Sequence, residues 1–342
     1  MDAGIDALAA HARERLERGP SGRYAPSPSG PLHLGNARTA LIAWLQTRLQ
    51  GGCFILRMED LDRPRVRSGA ARGIVADLHW LGLDWDEGSD SVGAVGPYDQ
   101  SRRTAIYAQA LHRLRGECLA FECFCSRQDI RRAASAPHAE GDIPAYPGTC
   151  RGLSAAERRL QRQIRNPAWR FRVTSGRIGF VDRLYGLVTE NLANSVGDFV
   201  IRRGDGVFAY QLAVAVDDAL MGISDVVRGA DLLASTARQI ALLKALQLPV
   251  PDYWHVPLLH DCAGRRMAKR DGSDSVASFR DAGGRPEELV GQMAASLNLI
   301  PSAEAITPGA LLNQLDIVGL RQRLIEARGE PELKPDSSQH VC

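Results

Sequence analysis

No apolar run in this 342-residue chain approaches the roughly 20 residues needed to cross a bilayer, which excludes a helical membrane protein. Residues 1–20 do not read as a secretory leader either. Asp2, Asp6, Glu14 and Glu17 interrupt residues 1–20 and leave no apolar core there. That stretch reads as a short amphipathic helix or a loose extension. An excess of positive charge is also lacking. The formal net charge of +2 is too small for sequence-independent nucleic-acid binding, so an RNA partner would need a local basic surface. A disulfide framework is excluded by the cysteines. There are seven, an odd number; Cys53, Cys118, Cys262 and Cys342 are scattered, while Cys123, Cys125 and Cys150 cluster as metal ligands would. Internal repeats are absent. These absences together predict a cytoplasmic protein.

What remains is an ordinary globular composition, 44% hydrophobic and 24% charged, in a chain long enough for two domains or one large domain with insertions. Residues 22–62 read as strand, turn, helix, strand. Gly22 to Ala25 is extended, and Pro26 and Pro28 forbid helix there. From Asn36, the residues Ala37, Ala40, Leu41, Trp44 and Leu45 recur at helical spacing until Gly51-Gly52. Cys53-Phe54-Ile55-Leu56 suits a buried parallel strand, so a β-α-β unit in a parallel sheet is expected. Residues 68–83, 101–119 and 285–328 look helical, the last broken at Pro301 and Pro308. Gly204-Asp205-Gly206 between two apolar runs predicts a hairpin that includes Tyr210. Thr236 with Gln239 predicts a capping box opening the next helix.

Two distant blocks carry the chemistry. Pro26-Ser27-Pro28-Ser29-Gly30-Pro31-Leu32-His33-Leu34-Gly35-Asn36 sets a histidine and a glycine ahead of a helix, whose free amides suit phosphate. Arg266-Met267-Ala268-Lys269-Arg270 is a short basic loop. Lys269 can follow the charge that builds on a leaving pyrophosphate. Taken singly, the first block reads as a proline-glycine turn and the second as solvated surface charge. As an ordered pair they resemble the two ATP-gripping signatures of class I aminoacyl-tRNA synthetases. The second departs from the family pattern at Arg266, Ala268 and Arg270.

The resemblance extends to glutamyl-tRNA synthetases through Gly22-Arg23-Tyr24-Ala25, Leu56-Arg57-Met58-Glu59-Asp60, Trp80-Leu81-Gly82-Leu83-Asp84, Tyr98-Asp99-Gln100-Ser101 and Val226-Val227-Arg228-Gly229-Ala230-Asp231. It implies an α/β fold: a Rossmann-like parallel sheet with an inserted zinc-bearing subdomain and a short helical C-terminal part. The expected divisions are an extension at 1–20, catalytic halves at 21–120 and 171–270, the insert at 121–170, a helical part at 271–330 and a flexible tail at 331–342. Catalytic roles fall on His33, Asn36 and Lys269. ATP contacts fall on Pro26, His33, Gly35, Asn36, Arg266, Met267 and Lys269, with magnesium accompanying the nucleotide. Glutamate carries two carboxylates and an ammonium, which calls for two forked cations and an anion. Arg23 is assigned the side-chain carboxylate, Arg228 the α-carboxylate and Glu59 the ammonium, with Ala25, Ser27 and Tyr210 completing the pocket. Arg57 and Asp60 are given structural roles.

Two traits resemble a shortened branch, the glutamyl-queuosine tRNA(Asp) synthetases. About 70 residues follow Lys269, too few for an anticodon-binding domain, and Val214 stands where a glutamyl enzyme typically has asparagine. The branch implies activation of glutamate without tRNA, then transfer to queuosine in the anticodon of tRNA(Asp), by a monomer. The alternatives are a glutamyl-tRNA synthetase with a reduced C-terminus and a catalytically idle tRNA-binding relative. Cys123, Cys125, Tyr146 and Cys150 form the expected zinc set, with His138 as the alternative to Tyr146.

Overall fold

The computed structural model describes residues 4–91, 93–126, 128–130, 145–174, 176–259 and 275–328. Ten strands occur among them: β1 Ser21–Tyr24, β2 Cys53–Leu56, β3 Glu87–Gly88, β4 Ala120–Cys123, β5 Ala168–Phe171, β6 Arg177–Asp182, β7 Gly186–Asn191, β8 Phe199–Arg202, β9 Asp225–Gly229 and β10 Asp252–Val256. Seven build one sheet in the order β3-β2-β1-β9-β10-β6-β7. All neighbours in it are parallel except the β6–β7 edge hairpin. A second, antiparallel sheet joins β4, β5 and β8. Its third strand therefore comes from beyond residue 170.

Helices cover both faces of the large sheet, and the strands show why. Ile55, Val226 and Tyr253 enter one apolar core, whereas their neighbours Phe54, Leu56, Val227 and Trp254 enter another, as a period-2 backbone requires. The helix Leu34–Arg48 is buried nearly all round. It lies so close to β1 that a Cβ added at Gly22 would fall 1.9 Å from Thr47 Oγ1. Glycine at 22 is thus a steric condition for that packing.

Several expectations are met closely. The β-α-β unit is present, and helices Ala70–Trp80, Thr104–Gly116, Pro286–Ala295, Pro308–Leu312 and Ile317–Glu326 lie within the expected ranges. The amphipathic first segment is a helix, Ile5–Arg18, with Ile5, Leu8, Ala9 and Ala12 buried. Two expectations are corrected. The Gly204–Gly206 turn closes a short hairpin, with Arg202 bridged to Phe208 and the Ala209 amide donating to the Ile201 carbonyl at 2.9 Å, but Tyr210 is not part of it and opens the helix Tyr210–Leu220. Thr236 does not cap a helix; it lies inside Leu233–Leu246, where it and Gln239 accept hydrogen bonds from Arg228.

A buried ionic cluster ties these layers together. Asp217 and Asp218, on the helix Tyr210–Leu220, meet Arg23 from β1, Arg57 just after β2 and Arg103 ahead of the helix Thr104–Gly116. Asp217 accepts from Arg103 Nε at 2.6 Å, Gln100 Nε2 at 2.8 Å and Tyr107 Oη at 2.7 Å. Removing it would strand the Arg103 charge in the interior. Asp217→Ala should therefore lower the unfolding free energy by about 3–5 kcal/mol, read from urea denaturation; a loss under about 1 kcal/mol would refute the role given to this cluster.

Candidate active site and metal centre

Strands β2 and β3 lie on one side of β1, and β9, β10 and β6 on the other. The strand order therefore reverses between β1 and β9, and an open α/β sheet binds ligands at the carboxyl ends of strands flanking such a reversal. Arg23 stands near the end of β1, Arg228 near the end of β9 and Glu59 shortly after β2. The Glu59 amide donates to the Pro26 carbonyl at 2.9 Å, holding that carboxylate beside the proline-rich turn.

The two arginines are held differently. Arg23 donates through Nε to Asp218 at 3.1 Å and through Nη1 to the Val227 carbonyl at 2.8 Å. Arg57 sits between Asp218, at 2.8 Å, and Glu59, at 3.4 Å. Burial would raise the pKa of Asp218, but Arg23 and Arg57 outweigh it and hold that carboxyl below its usual range. Arg228 is only 4% exposed and has no carboxylate partner among the described residues. Its Nε donates to His255 Nε2 at 3.0 Å, Nη1 to Gln239 Oε1 at 2.7 Å and Nη2 to Thr236 Oγ1 at 2.8 Å. All three acceptors are neutral, so a full positive charge waits for an anion from outside.

Glu59 is poised in the opposite sense. Burial pushes its carboxyl up to about 7, against the pull of Arg57 and Arg23. An arriving ammonium would favour the ionised form.

The remaining expected residues fall around this core. Ala25 is half-buried, Pro26 buried and Ser27 exposed. Tyr210 starts its helix 38% exposed, within electrostatic range of Glu59, Arg228 and Arg23. His33 is the residue at which the helix Leu34–Arg48 begins, and its side chain makes no capping bond. Asn36 is exposed in the first turn, and a Cβ placed on Gly35 would touch only Leu259, at 3.8 Å. Arg266, Met267 and Lys269 lie outside the described residues, as does His138. Their flanks do not: Ser275 bridges to His33, and the Val276 amide donates to the Leu32 carbonyl at 2.9 Å. Asp60 accepts the amide and hydroxyl of Ser101, in keeping with a structural role.

The second sheet carries the thiols. The sulfurs of Cys123, Cys125 and Cys150 lie within 4.8 Å of one another. Tyr146 Oη is 3.5 Å from Cys123 Sγ and 4.0 Å from Cys125 Sγ, while Cys125 and Cys150 are 3.5 Å apart. Zinc–sulfur bonds of about 2.3 Å in a tetrahedron would space the sulfurs about 3.8 Å apart, so the four donors fit such an ion. The Arg170 guanidinium stacks 3.9 Å from the Tyr146 ring and fixes its place.

Asp218, His255, Thr236 and Gln239 were not anticipated as site residues. The one available signal was His255 itself, a polar residue within the apolar strand Tyr253-Trp254-His255-Val256.

The family model for the catalytic domain of class I tRNA synthetases (E and Q) matches residues 21–298. The glutamyl-Q tRNA(Asp) synthetase of Symbiobacterium thermophilum is 49% identical over 311 residues, covering 90% of this chain and 96% of that relative. Glutamate–tRNA ligase 2 of Alkalilimnicola ehrlichii is 44% identical over 80% of this chain, which spans 57% of that relative. The solved glutamate-tRNA synthetase of Elizabethkingia anophelis superposes with a TM-score of 0.78 at 27% identity, covering 88% of this chain and 66% of that one.

The Glu59 environment makes a stability prediction. Its folded pKa of about 7 lies above the ordinary 4.5, so the folded state binds this proton more tightly. The resulting stabilisation is complete below pH 4.5 and is lost as pH rises through 7. Glu59→Gln, which cannot titrate, should gain on the native protein by about 3 kcal/mol between pH 4 and pH 8 in denaturant titrations. A difference that does not vary with pH would contradict the assigned environment.

Proposed function

The chain belongs to the class I tRNA synthetases of the glutamate and glutamine type, and on that premise we propose that it activates glutamate with ATP and passes it to queuosine in the anticodon of tRNA(Asp). The observation that carries the first half is Arg228, a buried cation with no counter-anion among the described residues, set across the strand reversal from Arg23 and sharing Tyr210 as a neighbour with Glu59. Glutamate at neutral pH has two carboxylates and one ammonium, net −1. Arg23, Arg57 and Arg228 against Asp218 and an ionised Glu59 sum to +1, the complement of that ligand. The two arginines take the carboxylates and Glu59 takes the ammonium.

An oxygen of the glutamate α-carboxylate then attacks the α-phosphorus of ATP, and the bond to the bridging oxygen breaks to release pyrophosphate. The nucleophile is already ionised, so the protein need only align the reactants and stabilise charge. The helix Leu34–Arg48 offers its amino-terminal amides to the phosphates, with His33 and Gly35 at its start and Asn36 in its first turn. Lys269, Arg266 and Met267 complete the nucleotide grip in this reading, and magnesium travels with ATP.

The acceptor is inferred from the relatives. At 49% identity the chain spans 96% of a relative named for glutamyl-Q tRNA(Asp) synthesis. Val214 has an isopropyl side chain with no donor or acceptor, so it cannot offer the polar contact that an asparagine would. Charging of a tRNA 3′ end is the second reading, supported by the 44% identity to a glutamate–tRNA ligase.

Zinc is proposed at Cys123, Cys125, Tyr146 and Cys150. Four protein donors leave no open position, so the ion would hold the insert together and do no chemistry.

Glutamate-dependent ATP–pyrophosphate exchange should proceed without tRNA, and labelled glutamate should then pass to queuosine-bearing tRNA(Asp) but not to the same tRNA lacking queuosine. Labelling of tRNA(Glu) instead would establish the second reading. Metal analysis should find one zinc per chain, reduced by Cys150→Ser; a zinc-free protein with three freely titrating thiols would remove the metal proposal.

A further inference from the structure

We propose that His255 and Asp182 are positioning residues for Arg228, presenting its guanidinium to a substrate carboxylate while keeping any protein carboxylate away from it. The inference rests on the reading of Arg228 as a glutamate ligand. It concerns His255, which touches Arg228, and Asp182, which touches His255 from the far side.

The three residues come from three adjacent strands, β9, β10 and β6. Arg228 and His255 are register partners across β9 and β10. Asp182 stands at the end of β6, beside β10. His255 and Asp182 are fully buried.

Hydrogen-bond logic fixes the tautomer. The guanidinium can only donate, so His255 Nε2 must accept from Arg228 Nε. The ring proton then lies on Nδ1, which donates to Asp182 Oδ2 at 2.6 Å. Asp182 is fully committed, because its Oδ1 accepts the amides of Leu184 and Tyr185, both at 2.9 Å. Burial and the neighbouring Arg228 lower the His255 pKa despite Asp182, in keeping with a neutral ring.

The comparison with Arg23 shows what the ring achieves. Arg23 is held by a carboxylate, Asp218, which offsets its charge. Arg228 is held by three hydrogen bonds, and the Asp182 carboxylate behind His255 lies one imidazole away. The ring supplies an acceptor without supplying an anion. Thr236 and Gln239 do the same at the other two nitrogens. The guanidinium is thus oriented and still electrically unspent.

Glutamate-dependent ATP–pyrophosphate exchange, measured on His255→Leu, Arg228→Ala and the double variant, tests this coupling. His255→Leu should raise the glutamate KM about 10- to 100-fold with the ATP KM unchanged. His255→Gln, whose amide can accept from Arg228 and donate to Asp182, should restore most of the loss. In the Arg228→Ala background, His255→Leu should add nothing. Effects that multiply in the double variant, or an unchanged glutamate KM in His255→Leu, would overturn the proposal. An Arg228→Ala protein with a normal glutamate KM would instead remove the reading on which it rests.

Asp182→Asn offers a second route should His255→Leu not fold. Its amide would donate to Nδ1 and push the ring proton to Nε2, facing the arginine. Nitrogen NMR of the His255 ring should show Nδ1 protonated in the native protein and a changed tautomer in Asp182→Asn, with a raised glutamate KM. A native ring protonated at Nε2, or a changed tautomer with no change in glutamate KM, would refute the assignment.

Discussion

Two consecutive aspartates on one helix organise this molecule. Asp217 and Asp218 draw three arginines from three different parts of the chain into an interior that excludes water. Arg23, Arg57 and Arg103 face Asp217, Asp218 and Glu59, and the cluster balances fully only when Glu59 is ionised. Such a cluster is poor at adding net stability, because desolvation offsets attraction. It joins β1, the segment after β2 and two helices through charges that would be costly to separate. The pocket inherits its geometry from that arrangement, since Arg23 and Glu59 belong to both.

The electrostatic design then departs from balance at two points. Arg228 keeps its full charge because only neutral atoms hold it. Glu59 sits near the middle of its titration at neutral pH. Both are penalties for the empty protein, and a ligand with an anion and a cation suitably spaced relieves both. On the proposed reading, binding and charge completion are one event, with glutamate supplying the counter-ions that the protein does not.

Much of this was legible beforehand, for physical reasons that differ by residue. The β-α-β unit announced itself because prolines, helical periodicity and a glycine pair mark its boundaries locally. The thiol cluster was legible because Cys123 and Cys125 are nearly adjacent and Cys150 follows within the same insert. What could not be read were the partners of Arg228. Thr236 and Gln239 have the spacing of a helix cap, and only the path of β9 beside that helix turns them into arginine acceptors. Asp182 and His255 are 73 residues apart, brought together by strand pairing that no local pattern encodes. The β6–β7 hairpin was missed because its alternation breaks at Val181, apolar but exposed, and at Asp182, charged but buried.

The amino-terminal helix carries a further implication. It precedes the matched catalytic domain, which starts at residue 21, yet Ala12 is fully buried and its carbonyl would lie 2.9 Å from a Cβ on Gly222. Gly222 follows directly on the helix that bears both aspartates. Arg15 reaches the opposite edge of the sheet at Glu87. This first segment therefore shares one packed core with the helix that carries the ionic cluster, and any side chain larger than hydrogen at position 222 would force the two apart.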